Sequence, residues 1–334
     1  MTDETLLLAL AVHRAFSLRS GEKERLFHAA RSTDVLERMS IDDVSFAVGR
    51  PLRLSAWSPG VAVRDAERDA LLCERLGISV VPQWSTDYPA MLREGWDPPF
   101  VVFIRGSLES GDIPSVATVG TRRPDNPGLT AAFEFACDCT ESGIPVVSGL
   151  AGGIDAAAHR GAIAGGGQTV GVLGCGIDTV YPAGNRTLAE RILSAAGALM
   201  SEYPPGTPPL RHHFPIRNRI IAALARWVVI VQAPERSGAL ITAEYALDSG
   251  RELLVHTAGC AAGAVNAGSR ALDEAGASTV SAAGELLGAD RRIYSGSTRS
   301  RTGADNASVG DVASLLARRL NRELDLFEPE PTYG

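Results

Sequence analysis

Residues 144–174 read IPVVSGLAGGIDAAAHRGAIAGGGQTVGVLG. The stretch opens on one short apolar run, 144–149, and closes on another, 168–174. Nearly continuous apolar runs of this length, bounded by glycine, are what strands covered on both faces require. Between them a helical pattern covers 155–164, introduced by the glycines of SGLAGGID. Strand, glycine loop, helix and strand in that order make a parallel crossover unit.

The same grammar continues in both directions. Further strands are predicted at 115–120, 197–202, 227–233 and 252–259, with helices near 127–142, 187–196, 214–225, 239–249 and 268–275. This alternation predicts an α/β domain over 115–290 with a doubly wound, mostly parallel sheet. Residues 1–76 read as a small all-helical domain, from LLLALAVHRAF to GVAVRDAERDALLCERLG. The last of these helices starts after Pro59 and stops at Gly77, in keeping with helix start and stop signals. Residues 77–114, rich in proline and tryptophan, read as a connecting segment. Residues 291–334 read as a flexible linker, a short helix in DVASLLARRLNREL and an acidic end.

At 334 residues with 45% hydrophobic content, the chain can bury a sizeable core. No apolar run approaches the roughly 18–20 residues of a membrane span. The first residues, MTDETLLLALAVHRAF, carry acids where a signal peptide needs bases, so a cytoplasmic protein is expected. The five cysteines are scattered, fit a reducing compartment and read as apolar fillers; no metal set is completed. Lys23 is the only lysine among 32 lysines and arginines. It lies in SGEKE, so the main domain has neither a Walker lysine nor a Schiff-base lysine.

The net charge is -7, yet no acid occurs between Glu202 and Glu235. Arg211, Arg217, Arg219 and Arg226 fall in that window with His212 and His213. In a doubly wound sheet, ligands sit beyond the carboxyl ends of the strands. Four strand ends run into loops suited to anions: Gly120, Thr121, Arg122 and Arg123; Ser148, Gly149, Gly152 and Gly153; Gly174 and Gly176; Ser237, Gly238 and Thr242. Turns alone also call for glycine, so each loop is weak evidence by itself. Together with Arg217, Asn218 and Arg219 they predict a phosphate cradle. His159 is placed mid-helix, facing a neighbouring loop or a ligand phosphate. Arg217 and Arg219, two apart, cannot share a helical face, so at most one reaches a bound strand.

Catalytic and cofactor readings are poor. GVLGCGID lacks the third glycine of a dinucleotide site. Ser148 and Ser237 have no nucleophile-elbow context. Asp155 and Asp178 are explained by helix capping at least as well as by acid–base work. No catalytic residue, cofactor or metal is assigned.

VGTRRP, VVSGLAGGIDAAAHRGAI, TVGVLGCGIDTVYPAGN, LMSEYPPG, FPIRNRIIAAL and SGALITAEYAL follow one another in an order and spacing that resemble the DprA/Smf family. The resemblance runs from about residue 82 to residue 260. It implies an extended Rossmann-like fold, preceded by a small helical domain of SAM or helix-hairpin-helix type. It also implies a DNA recombination mediator that binds and protects single-stranded DNA without cutting it, dimerises, loads RecA during natural transformation and helps displace single-strand-binding protein. The family's phosphate-binding arginine falls on Arg122, its R-N-R motif on 217–219, and its S-G-x-L-I-T-A motif on Ser237, Gly238 and Thr242. The residues after Tyr294 are too few for the winged helix of some relatives.

The chain departs from the family pattern at Gln168, where a basic residue is usual, at Gln232, where glutamate is common, and at Arg270. The departures at Gln168 and Gln232 keep a nucleotide sensor open as an alternative, and the one at Arg270 bears on dimerisation. A second alternative is a LOG-like nucleoside-monophosphate phosphoribohydrolase, but Tyr245 stands where that family carries its glutamate.

Overall fold

The computed structural model describes residues 4–52, 58–108, 114–294 and 311–316. Its centre is one nine-stranded sheet. The strands are β1 (Ile78–Pro82), β2 (Val101–Gly106), β3 (Val116–Val119), β4 (Val146–Ser148), β5 (Thr169–Leu173), β6 (Ala198–Ser201), β7 (Trp227–Ile230), β8 (Glu252–His256) and β9 (Ser278–Val280). They lie in the order β1-β2-β6-β5-β4-β3-β7-β8-β9. Every pair from β6 across to β9 is parallel, while β1–β2 and β2–β6 are antiparallel. From β3 the chain winds outward to β6 on one side, then returns to β7 on the other. The switch point therefore lies between β3 and β7, the place where such sheets open a crevice for ligands.

The predicted strands from 115 onward are all present. The segment 77–114 corrects the sequence reading. It contributes two strands to the same sheet, with Ile78 opposite Arg105 and Phe103 opposite Ser201. The short run ISVVP ends in proline, which hid it as a strand; proline is tolerated there because β1 is an edge. The three-residue strand β9 was also not predicted.

Why the central strands are largely apolar is clear from what covers them. In β7, Trp227 and Val229 pack into one core and Val228 and Ile230 into another. Successive side chains alternate between faces, so a strand roofed on both sides favours apolar residues at nearly every position. One roof comprises α7 (Asn126–Glu141), α8 (Ile154–Ala164) and α13 (Ala283–Tyr294); the other comprises α10 (His213–Leu224), α11 (Gly238–Asp248) and α12 (Ala267–Glu274). α9 (Arg186–Ser194) packs near β5 and β6, and the single turn α6 (Ala90–Arg93) lies against α10.

Five helices precede the sheet: α1 (Glu4–His13), α2 (Ser20–Ala30), α3 (Thr33–Arg38), α4 (Ile41–Val48) and α5 (Pro59–Leu76). α5 shows how sequence sets its ends. The Ser58 hydroxyl accepts from the Val61 amide, Pro59 occupies the first turn, and Gly77 takes φ +62°. These helices share one continuous core with the sheet domain, in which Leu8, Leu26 and Ala66 meet Phe103, Leu173, Ile192 and Leu199. His13, fully buried on α1, lies 2.6 Å through Nε2 from the Glu202 carbonyl oxygen. Residues 311–316 form a helical turn whose Val312 and Leu316 are buried against the α10–α12 side. The stretches 295–310 and 317–334, where a linker and an acidic end were predicted, lie outside the described residues.

Candidate nucleic-acid interface

The loop after β3 presents two exposed arginines at the switch point. Gly120 is pinched between α8 and the loop after β7: a Cβ would lie 2.6 Å from the Ile154 side chain and 2.8 Å from the Gln232 carbonyl. Thr121 is buried; its amide donates to the Gln232 carbonyl oxygen at 2.8 Å and its Oγ1 accepts from the Arg123 amide at 3.2 Å. Arg122 and Arg123 then emerge exposed, and neither forms an ion pair among the described residues. The Arg122 guanidinium lies 5.6 Å from the centre of the Phe214 ring, whose neighbours include Tyr181 at 5.3 Å and the Arg217 guanidinium at 5.9 Å. Tyr181 is 46% exposed, so the arginine stands beside an accessible aromatic surface.

The glycine loop after β4 wraps against this arginine loop. Gly153 has φ +74°, and a Cβ there would lie 2.4 Å from the Thr121 carbonyl oxygen. Only glycine fits that close approach of the two backbones. The Ile154 amide closes the contact by donating to the same oxygen at 3.2 Å. Gly152 and Gly153 are half-buried and lead into the first turn of α8, where peptide dipoles favour anions.

Behind this surface a buried polar layer holds the loops. Asp155 accepts from the Gly149 amide at 3.1 Å and the Ala151 amide at 3.4 Å. Burial raises its carboxyl above the ordinary range, with Arg217 and the two amides pulling the other way. Asn185 donates through Nδ2 to the Leu150 and Ala151 carbonyls at 2.8 and 3.1 Å. Arg217 donates through one terminal nitrogen to the Gly149 carbonyl at 2.6 Å and to the Val172 carbonyl. It is 3% exposed, and burial lowers its guanidinium to about 10. Arg219 is 5% exposed and pairs with Glu202 at 2.7 Å and Asp97 at 3.6 Å. Burial pushes Glu202 up, but Arg219 and Lys23 outweigh that and hold it below the usual carboxylate range.

The predicted site residues therefore divide. Arg122, Arg123 and Gly238 are exposed, and Gly120, Gly152, Gly153, Asn218 and Ser237 are partly so. Arg217 and Arg219 are not on the surface; Ile216 of α10 is exposed, but both guanidinia are turned inward. Ser148 is fully buried and donates to the Thr118 carbonyl at 2.7 Å. His159 is fully buried with Nδ1 2.8 Å from Thr169 Oγ1, so its helical face looks into the sheet. Thr242 is also buried. Gly149 is buried between Asp155 and Arg217. Gly174 underlies the Phe214 ring, and the Gly176 amide donates to the Thr207 carbonyl at 2.8 Å, so that loop serves the neighbouring turn. Ser237 caps α11, and Asn218 Nδ2 donates to the Gly238 carbonyl at 3.1 Å.

The sequence reading missed Phe214, Tyr181, Asn185 and the Asp125–Gln232 pair. Tyr181 and Phe214 stand inside the quoted motifs, but nothing in their spacing says that the two rings meet. Tyr245, at the position of the phosphoribohydrolase glutamate, packs against Trp96 with ring centres 5.8 Å apart. Cys137 and Cys260 are partly exposed rather than buried fillers. Among the described residues, no group of three or more potential ligands could hold a metal ion, and no helix is long and apolar enough to cross a membrane.

The model of the family called DNA recombination-mediator protein A matches residues 79–289, from the first residues of β1 into α13. The chain belongs to that family. It is 46% identical over 180 residues to protein Smf of Synechocystis, covering 52% of this chain and 45% of that one. It is 43% identical over 166 residues to DNA processing protein DprA of Streptococcus pneumoniae, covering 50% and 58%. The chain thus spans about half the length of these curated relatives. Protein Smf of Borreliella burgdorferi matches more widely, at 30% identity over 72% of this chain and 75% of its own. The crystal structure of Streptococcus pneumoniae DprA superposes with a TM-score of 0.66 at 30% identity, covering 83% of this chain and 95% of that one. A Helicobacter pylori DNA processing protein A, solved for its single-stranded DNA binding mode, gives 0.56 at 26% identity, covering 65% and 97%.

Proposed function

We propose that the protein binds single-stranded DNA as a recombination mediator, without cleaving it. The observation that carries this reading is the Arg122–Arg123 loop, exposed and free of ion pairs among the described residues, beside the Tyr181–Phe214 surface and the start of α8. Guanidinium groups and peptide dipoles suit phosphates, and aromatic faces accept bases of any sequence. Duplex DNA hides its bases, so an arginine next to an open aromatic face favours the single strand. The net charge of -7 does not oppose this, because the cationic loop stands in a local field of its own. The buried layer of Asp155, Asn185 and Arg217 is tied to backbone groups, which suits a rigid binding surface.

We further propose that the bound strand is handed to RecA, that single-strand-binding protein is displaced in the process, and that two copies act together. Fluorescence anisotropy with labelled oligo-dT, duplex DNA and mononucleotides over a salt series tests the first step. The single strand should bind more tightly than duplex, with each phosphate contact contributing about -0.7 to the log–log salt slope. Tight mononucleotide binding without DNA binding would overturn the reading in favour of a nucleotide sensor. Faster RecA filament growth on a strand coated with single-strand-binding protein checks the hand-over, and sedimentation checks the dimer.

A further inference from the structure

Gln232 lies two residues past β7, beside the switch point, and is 1% exposed. It touches the arginine loop at both ends. Where the loop leaves β3, the Gln232 carbonyl oxygen accepts from the Thr121 amide at 2.8 Å. Where the loop enters α7, Gln232 Nε2 donates to Asp125 Oδ1 at 2.8 Å and Oε1 accepts from the Asp125 amide at 3.3 Å. Asp125 Oδ1 also accepts from the Gly128 amide at 2.8 Å, which caps α7. The chemistry fixes the amide's orientation, since a backbone N–H must face an acceptor and a carboxylate must face a donor. Gly128 admits this side chain: a Cβ there would lie 1.9 Å from Gln232 Oε1. A glycine in the first turn of a helix, otherwise a weakness, is thereby explained.

We infer that Gln232 is a positioning residue for DNA binding, its side-chain amide clamping Asp125 so that Arg122 and Arg123 are held at the crevice. The inference rests on the reading that this loop takes the strand. A side chain that merely filled space would be replaceable by its isostere. Glutamate has the same shape and keeps the acceptor for the Asp125 amide. It loses the donor, however, and sets a buried carboxylate against the exposed Asp125 carboxylate, where two like charges are disfavoured. The clamp therefore depends on the amide, and the cost of losing it depends on the carboxylate at 125.

That dependence supplies the test, a double-mutant cycle read as single-stranded DNA affinity. Gln232→Glu should weaken binding by about tenfold, while Asp125→Asn alone, which keeps a capping oxygen and an acceptor for Gln232, should change it by less than about twofold. The double variant Gln232→Glu/Asp125→Asn removes the repulsion and should recover most of the affinity. Gly128→Ala, which displaces the amide from the other side, should weaken binding even where Gln232→Glu folds poorly. Hydrogen exchange at the Thr121 and Asp125 amides should accelerate in both weakened variants. Unchanged affinity in Gln232→Glu and Gly128→Ala, or a loss that Asp125→Asn fails to relieve, would overturn the inference. Arg122→Ala is measured in parallel. If it binds like wild type, the loop does not hold the strand, and the exchange rates alone then decide the clamp.

Discussion

Two pairs of arginines, Arg122–Arg123 and Arg217–Arg219, stand in motifs that sequence treats alike. The first pair follows a strand directly, in a loop that turns outward, and is exposed without ion pairs among the described residues. The second sits in the first half of α10, where Ile216 is exposed but both arginines face inward. Its guanidinia are buried against Gly149, Val172 and Glu202. An exposed arginine keeps its charge available to a ligand, whereas these buried ones are held through terminal nitrogens by fixed partners. The same residue type thus supplies binding in one place and architecture in the other.

The largest expected effect breaks or confirms that division. Arg219→Ala leaves Glu202 buried without its closest cation and should cost on the order of 3–5 kcal/mol of stability. Urea denaturation measures it. A variant of wild-type stability that has lost DNA binding would show that Arg219 belongs with Arg122.

Next comes the effect of acid on the buried layer. Burial, then Arg217 and Arg160, push His159 down from 6.5 to about 3, and burial and Lys23 do the same to His13. The unfolded chain takes up protons below about 6.5 that the folded protein refuses. The stabilisation is therefore complete above that pH and lost as pH falls toward 3. Each histidine should contribute about 1.4 kcal/mol per pH unit in that window. His159→Asn, which can keep a hydrogen bond to Thr169, should flatten the stability profile between pH 6.5 and 4.5 by about that slope. An unchanged profile would place His159 in contact with solvent.

Smaller effects sharpen the exposed side. Arg122→Ala should weaken single-stranded DNA binding by about tenfold, or about 1.4 kcal/mol, and reduce the salt slope by about 0.7. Its urea midpoint should stay close to wild type, since stability shifts at such surface positions are usually within about 0.5 kcal/mol. A large loss of stability would make Arg122 another brace. Tyr181→Ala should cost about 1 kcal/mol of affinity, the low end for one stacked base, with the salt slope unchanged. A changed slope would mean that the ring acts through the arginine loop rather than through a base.

Most of the parallel sheet was legible because a strand roofed on both faces must be largely apolar, and that constraint is written in 144–149, 168–174 and 227–233. β1 and its neighbour β2 were less legible. β1 is the edge strand, where proline and polar residues are tolerated, and β2 is paired on both sides but antiparallel, outside the parallel alternation. The loops of the site were legible as glycine-rich strand ends, because backbones that approach each other at Gly153 and Gly120 exclude a Cβ. Which loop faces outward was not. Gly176 and Gly120 look equivalent in sequence, yet one serves a neighbouring turn and the other supports the arginines.

The sequence by itself determined the sheet's composition, its glycine turns, the family and the positions of the arginines. These follow from local rules: periodicity, backbone freedom and motif spacing. Only the tertiary structure decided which arginines meet solvent, which rings meet each other, and that Gln232 spans both ends of one loop. Those outcomes depend on residues far apart in the chain, such as 125 with 232 and 217 with 149 and 172. Burial and hydrogen-bond satisfaction are fixed only when such segments pack together.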